Sequence, residues 1–249
     1  IMFGRTWDFF LIGPYFYEDF RPEDFESVLV IGMATGTIAR QHAAVYGSSL
    51  QVDGIEIDPE ILRAGEEFFE MNTNAIPGLR TFAEDGRYSL NQLDGRYTVI
   101  GIDAYRPPYI PWHLTTIEFF REVRDRLNDP GALIINVGRT NRDRRLVDAL
   151  SNTLSYVFPS VHALDVPRSF NTILVATVRP TSAASLAGHL SSGNLSSPLL
   201  RETLALAADH LVPTQYGETL FTDDRAPVET LVDSLVLNFL LSGDTDILR

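Results

Sequence analysis

Acidic residues placed directly after short apolar runs are the groups in this chain best suited to chemistry. In Ile102-Asp103-Ala104-Tyr105-Arg106-Pro107-Pro108, Asp103 follows the run Tyr97 to Ile102. Open parallel sheets bind ligands beyond the carboxyl ends of their strands, so a carboxylate there points at a reacting centre. It could hold a cationic amine or accept its proton, or it could simply cap the loop. Asp103 is therefore the candidate catalytic residue. Tyr105 is placed to wall the same pocket, and Pro107, Pro108 and Pro111 stiffen the loop. Downstream, Thr222-Asp223-Asp224-Arg225-Ala226-Pro227-Val228-Glu229 sets paired acids before an apolar helix. Asp223 and Asp224 are candidates either for helix capping or for substrate contact.

Two further carboxylates suit a nucleoside. In Gly54-Ile55-Glu56-Ile57-Asp58-Pro59, Glu56 can accept hydrogen bonds from both ribose hydroxyls, and Asp58 is placed to cap the helix that Pro59 begins. In Glu84-Asp85-Gly86-Arg87, Asp85 can accept from an adenine amino group, cap a helix, or do both. The backbone from Gly86 onward would add donors for ring nitrogens. The turn Gly32-Met33-Ala34-Thr35-Gly36-Thr37 has glycines where a ligand must approach the backbone closely. It is not a dinucleotide fingerprint, which would need glycine at Ala34 and Thr37. Gly32, Thr35, Gly36, Glu56, Ile57, Asp85 and Gly86 form the candidate nucleoside-binding set.

Other chemistries are excluded by residue type. The chain has 249 residues and no cysteine, so disulfides, thiolate metal sites and cysteine nucleophiles are absent. Its 20 basic residues are all arginine, which removes lysine Schiff bases and lysine phosphate loops. His42, His113, His162, His189 and His210 show no metal-ligand spacing, and no metal is expected. His113 is the one that falls in the loop after Asp103. There is no nucleophile-elbow pattern. The net charge of −13 repels nucleic acid and attracts small cations.

These residues need a frame. Short apolar runs at Ser27 to Gly32, Leu50 to Ile57, Leu79 to Ala83, Tyr97 to Ile102 and Ala132 to Val137 read as strands. Between them, Thr37 to Tyr46, Pro59 to Met71, Gly86 to Leu93 and Thr116 to Leu127 read as helices, with Thr35 or Thr37 near the first N-cap. A turn is expected at Asp129-Pro130-Gly131. The alternation predicts a parallel sheet covered on both faces. After a helix from Arg144 to Val157, strands Ser160 to Val166 and Thr172 to Val178 lie too close for a crossover and should pair antiparallel.

The chain divides into an N-terminal segment (1–25), an α/β nucleoside-binding domain (26–180) and a small, mainly helical extension (181–249). In the extension, 181–197 reads as a loop with a short helix, and Leu199 to His210 and Val228 to Leu241 read as helices. No apolar run reaches the roughly 18 residues that span a bilayer. The opening Ile1-Met2-Phe3-Gly4-Arg5 has no signal-peptide pattern, and the segment from Trp7 starts almost in mid-element, as in a piece of something longer.

Taken in order, VLVIGMATGT, DGIEIDPEIL, EDGR, and YTVIGIDAY followed by LTTIEFFREVRDRLNDPGALIINV resemble the spermidine synthase family, the polyamine aminopropyltransferases. The likeness covers about residues 7–178. It is greatest to bacterial spermidine synthase-like proteins, some fused to a membrane segment, and TDDRAPVE resembles that subgroup too. The resemblance implies a Rossmann-like, AdoMet-dependent methyltransferase fold, its mostly parallel sheet ending in an antiparallel hairpin. It implies decarboxylated AdoMet as aminopropyl donor, with Glu56 on the ribose, Asp85 at the adenine and Asp103 helping to deprotonate an attacking amine. The partners it implies are a small-molecule amine acceptor and a second copy of the chain in a homodimer. The location it implies is cytoplasmic, free or as the cytoplasmic domain of a membrane-attached parent.

Three departures stand out. Thr35 and Arg106 occupy positions that are acidic in the family, and Ile12-Gly13-Pro14 lacks the family's histidine. The family's N-terminal β-rich subdomain is missing here. A cation at Arg106 repels a diamine. The expected activity is aminopropyl transfer. The alternatives are methyl transfer from AdoMet and a non-catalytic nucleoside-binding module.

Overall fold

The computed structural model describes residues 6–106 and 108–242. The readings of Ile1 to Arg5, Pro107 and residues 243–249 lie outside the described residues.

Among the described residues eight strands form one sheet: β1 (Ser27–Ile31), β2 (Gln51–Glu56), β3 (Leu79–Ala83), β4 (Tyr97–Ile102), β5 (Leu127–Gly138), β6 (Ser160–Asp165), β7 (Asn171–Thr177) and β8 (Leu211–Val212). Their spatial order is β3-β2-β1-β4-β5-β7-β6-β8. The first five are parallel, and β7 inserts antiparallel between β5 and β6. The expected hairpin is present, and the chain order reverses between β1 and β4. That reversal opens a crevice where the two crossovers diverge. Between strands lie α1 (Thr37–Tyr46), α2 (Pro59–Phe68), α3 (Gly86–Gln92), α4 (Ile117–Asp125) and α5 (Arg145–Ser155). After the hairpin come α6 (Ala184–Ser192), α7 (Pro198–Asp209) and α8 (Val228–Ser242).

Strand side chains alternate between two cores, as a pleated sheet requires. Val28 and Val30 of β1 face one core, and Leu29 and Ile31 face the other. The first core is closed by α1, α6 and α7, together with the 3-10 turns Thr6–Leu11 and Gly13–Phe16. Phe9, Phe10, Leu11, Ile12, Tyr15 and Phe16 are all fully buried there. Burying each such side chain contributes roughly 1.5–3 kcal/mol. The second core is closed by α3, α4, α5 and the start of α8. Residues before β1 and after β7 thus supply side chains to the same cores as the central α/β unit.

The N-terminal segment lies hard against the strands. A Cβ built on Gly101 of β4 would come within 2.7 Å of the Phe10 ring. The Tyr17 hydroxyl donates to the Gly131 carbonyl (2.7 Å) and accepts from the Val178 amide (2.9 Å), tying the segment to β5 and the exit of β7.

Four boundaries differ from the sequence expectation. The second helix stops at Phe68 rather than Met71, because Glu70 turns with φ +55° and Met71 folds under, fully buried. The fourth helix ends at Asp125, and β5 begins at Leu127 instead of after a turn at 129–131. Tyr97 pairs with Leu127 and Val99 with Ala132, so the intervening residues bulge out of one continuous strand. The N-cap of α1 is neither Thr35 nor Thr37 but Gly36 in the left-handed region. The short edge strand β8, paired with β6, has no sequence signal.

Among the described residues no helix is long and apolar enough to cross a membrane. Gly101→Ala is expected to destabilise the protein by about 1–3 kcal/mol, because the buried Phe10 ring cannot move aside cheaply. Chemical denaturation of the pair measures this.

Candidate active site

The first turn after β1 makes the floor of the site. Gly32 has φ +85°, and a Cβ there would meet the Asp103 carbonyl oxygen and the Ala104 nitrogen at 2.5 Å. Its amide donates to the Ile55 carbonyl (2.9 Å), and the Asp103 amide donates to Ile31 (2.9 Å). The ends of β1, β2 and β4 are thereby drawn together. A cavity of about 1030 Å³ opens above them, its wall running from Gly32 and Ala34 through Glu56, Asp85 and Asp103 to Tyr105, His113 and Glu229.

Glu56 ends β2 and is held by backbone donors. The Ala34 amide donates to Oε2 at 3.0 Å and the Asp58 amide to Oε1 at 3.3 Å. Each oxygen retains a lone pair, so the carboxylate can still accept from vicinal hydroxyls. Asp58 caps α2 through the Glu60 amide (2.9 Å). Ile57 and Ile61, both exposed, line the cavity beside it, with Pro111, Trp112 and Leu114 supplying further apolar wall.

Asp85 caps α3 and also reaches across the site. Its Oδ1 accepts from the Arg87 and Tyr88 amides, each at 3.0 Å. Its Oδ2 lies 2.8 Å from His113 Nε2. Burial would raise its pKa, but the Tyr88 amide, His113 and the Arg87 amide outweigh that, so the carboxyl sits below its ordinary value. Gly86 lines the cavity as well. His113, the histidine that the sequence places in the loop after Asp103, is joined through this contact to the start of α3.

Asp103 stands at the end of β4, half-buried. The Asn136 side-chain amide donates to Oδ1 (2.9 Å) and the Trp7 indole to Oδ2 (3.1 Å). Burial pushes the carboxyl up to about 6, with Asn136 and Trp7 pulling the other way. A carboxylate poised near neutrality can take a proton from an amine and release it again. Tyr105 lines the cavity with its hydroxyl donated to the Asn136 carbonyl (2.9 Å), and burial keeps its phenol neutral.

Not every predicted residue comes to the cavity. Thr35 and Gly36 are not in its wall: the Thr35 carbonyl accepts from Arg40 (2.8 Å), and Gly36 packs under Met71. Asp223 and Asp224 are also outside it. Asp223 accepts both Arg87 guanidinium nitrogens (2.8 and 2.9 Å) and the Thr116 hydroxyl (2.7 Å). Arg87 also binds Glu122, so Asp223 pins the turn before α8 to α3 and α4. From the same motif, Glu229 reaches the cavity instead. Sequence reasoning stopped at the paired acids and passed over it, although an acid in the first turn of the apolar helix was a visible signal. Trp7 and Asn136 were missed altogether.

Charge in the cavity is lopsided. Among its described lining residues, Glu56, Asp58, Glu84, Asp85, Asp103 and Glu229 face one guanidinium, Arg106. That set of acceptors fits a cationic ligand better than an anionic one. No cluster of metal-ligating side chains is found among the described residues.

The family model for the spermine/spermidine synthase domain matches residues 20–182, more than half of the chain. The chain belongs to the spermine/spermidine synthase family. Among its relatives, the chain is 32% identical over 226 residues to a "Probable polyamine aminopropyl transferase" of Bifidobacterium longum, covering 84% of this chain and 49% of that protein. It is 31% identical over 146 residues to a polyamine aminopropyltransferase of Vibrio vulnificus, covering 57% and 47% respectively. The chain thus spans about half the length of these curated relatives. Its fold is similar to a crystal structure of a probable spermidine synthase from Corynebacterium glutamicum, with TM-score 0.64 at 18% identity, covering 85% of this chain and 80% of that one. It is also similar to human methyltransferase-like protein 13 in complex with SAH, with TM-score 0.61 at 20% identity, covering 88% and 95%. The α/β architecture of this family member is therefore the Rossmann-like, AdoMet-binding transferase fold.

Burial of Asp103 carries a linkage consequence for this family member. Its folded pKa of about 6 lies above the ordinary aspartate value, so the native state binds this proton more tightly than the unfolded chain. The stability that this group contributes is therefore full below about pH 4 and declines as pH rises to about 6. A 13C NMR titration of the Asp103 carboxyl is expected to show a midpoint near 6. A midpoint at or below the ordinary carboxylate value would contradict the burial argument.

Proposed function

We propose that this chain carries the donor site and the reacting centre of an aminopropyltransferase. The observation that carries the reading is Asp103: a half-buried carboxylate without an ion pair among the described residues, opening into a cavity lined by five further acids. Decarboxylated AdoMet is a cation with no carboxylate of its own, and such a cavity favours it over a zwitterionic donor. In this reading Glu56 accepts from the ribose hydroxyls, and the base lies between Ile57 and the 111–114 stretch, near Asp85.

The acceptor is a small amine. Its nitrogen lone pair attacks the methylene carbon beside the sulfonium. The carbon–nitrogen bond forms as the carbon–sulfur bond breaks, and the bonding pair leaves with sulfur as methylthioadenosine. The ammonium proton passes to Asp103 and then to solvent. Most of the rate gain would come from holding the two reactants in line. Arg106 lines the acceptor side together with Glu229, so an acceptor panel should include monoamines as well as diamines.

Calorimetric titration with methylthioadenosine and with S-adenosylhomocysteine tests the donor. Tighter methylthioadenosine binding is expected. Tighter binding of the homocysteine derivative would transfer the reading to methyl transfer, and binding of neither would leave a non-catalytic module. Turnover with decarboxylated AdoMet and an amine panel tests the chemistry. Asp103→Asn is expected to lower kcat by about 10²–10⁴-fold, with little change in methylthioadenosine affinity. Unchanged turnover would remove Asp103 from the reaction.

A further inference from the structure

Asp103 is held by neutral donors only, and one of them heads a chain of side chains that leads away from the cavity. The Ser169 hydroxyl donates to Asn171 Oδ1 (2.6 Å), Asn171 Nδ2 donates to Asn136 Oδ1 (2.8 Å), and Asn136 Nδ2 donates to Asp103 Oδ1 (2.9 Å). Asn136 lies on β5 and is buried. It pairs across the ladder with Ile173 of β7, so Asn171, two residues earlier, is its diagonal neighbour on the same face.

The direction of the chain is dictated at one end. An ionised carboxylate only accepts, so the amide group facing Asp103 must be the NH₂ of Asn136. The Asn136 oxygen then faces Asn171, which must present its own NH₂. The Asn171 oxygen in turn takes the Ser169 hydroxyl proton. A lone asparagine could flip end for end and set its oxygen against the carboxylate. With Asn171 donating to its oxygen, Asn136 loses that freedom.

We infer that Asn171 and Asn136 are positioning residues: the Ser169–Asn171–Asn136 chain locks an amide donor onto Asp103 Oδ1 while the Trp7 indole holds Oδ2, which leaves one lone pair on each oxygen free for an incoming amine. The inference rests on the reading of Asp103 as proton acceptor, but its physical content does not need turnover. A cation in place of Asn136 would depress the carboxyl strongly and spend the lone pairs. Two neutral donors orient the group at a smaller cost in basicity.

The charged and titratable groups around Asp103 leave this pair of donors as its main stabilisers. The N-terminal 3-10 turn contributes Trp7, β5 contributes Asn136, and the β1 turn contributes the uncharged Gly32. Its own loop contributes Tyr105, held neutral by burial, and the exposed Arg106. Glu56, Asp85 and Glu229 line the same cavity. Asp103 forms no ion pair among the described residues.

The test titrates the Asp103 carboxyl by 13C NMR in the wild-type chain, in Asn136→Ala and in Asn171→Ala, with thermal unfolding as the check of folding. Asn136→Ala removes a hydrogen bond to the ionised form, so the midpoint should rise, with proton affinity up about tenfold. Asn171→Ala never touches Asp103, and its midpoint should rise in the same direction by less. If Asn136→Ala does not fold, Asn171→Ala decides alone. A lowered melting temperature with unmoved midpoints in the folded variants would reduce both residues to structural roles and overturn the proposal. A shift in Asn136→Ala alone would overturn the chain through Asn171. Shifted midpoints in a protein without aminopropyl transfer would sink the functional reading and leave the positioning chain standing. Where turnover is present, the acid limb of the kcat/KM profile should move with the midpoint.

Discussion

Everything at the site depends on one backbone contact. Gly32 approaches the Asp103–Ala104 peptide so closely that no side chain fits between them. The positive φ and the missing Cβ are the same requirement seen twice: the chain must reverse out of β1 and still leave room for the end of β4. Because β1 and β4 are adjacent in the sheet, this contact closes the floor of the crevice. It also turns Asp103 upward at the place where the chain order reverses. An alanine at Gly32 would force the strand ends apart and take Glu56 with them, since the Gly32 and Met33 amides both bond to the carbonyl of Ile55.

Around that floor the protein has built two kinds of support. One is apolar: the aromatic N-terminal turns and α7 fill the face beneath the parallel strands. That places Trp7 within hydrogen-bond reach of a residue far along the chain. The other is ionic. Arg87, mostly shielded, is shared by Glu122 and Asp223, and its guanidinium also meets the His113 carbonyl (3.4 Å). Glu122 is the largest influence keeping the Arg87 charge in place, followed by Asp223. This hub joins α3, α4, the 113 loop and the turn before α8. The wall that carries Asp85 and the wall that carries Glu229 are therefore tied to one guanidinium. The supporting acids Glu122 and Asp223 are tied to a guanidinium, while those in the cavity are left as an acid excess available to a cationic ligand.

The sequence made much of this legible. Apolar runs ending in glycine or acid located β1 to β4 to within a residue or so, and the close spacing of the last two long strands predicted their antiparallel pairing. The roles of Glu56, Asp85 and Asp103 as strand-end or helix-start residues could also be read, because each depends only on where an element stops. Legibility failed where neighbours are distant in the chain. The paired acids before α8 look alike in sequence, yet Asp223 is consumed by Arg87 while Glu229, in the first turn of α8, reaches the cavity. The continuation of β5 through Pro130 was hidden because turn residues also form bulges.

By itself, the sequence determined the alternation of elements, the family, and the carboxylates that end the strands. These follow from local periodicity and from residue chemistry, which need no knowledge of what lies across the fold. The tertiary structure alone decided the company those carboxylates keep. Trp7 meets Asp103 across 96 positions, and Asn136 meets it across 33. Such partners are set by sheet order and by the packing of the N-terminal segment against β4 and β5. A carboxylate's environment, and with it the proton it can accept, is a property of that packing.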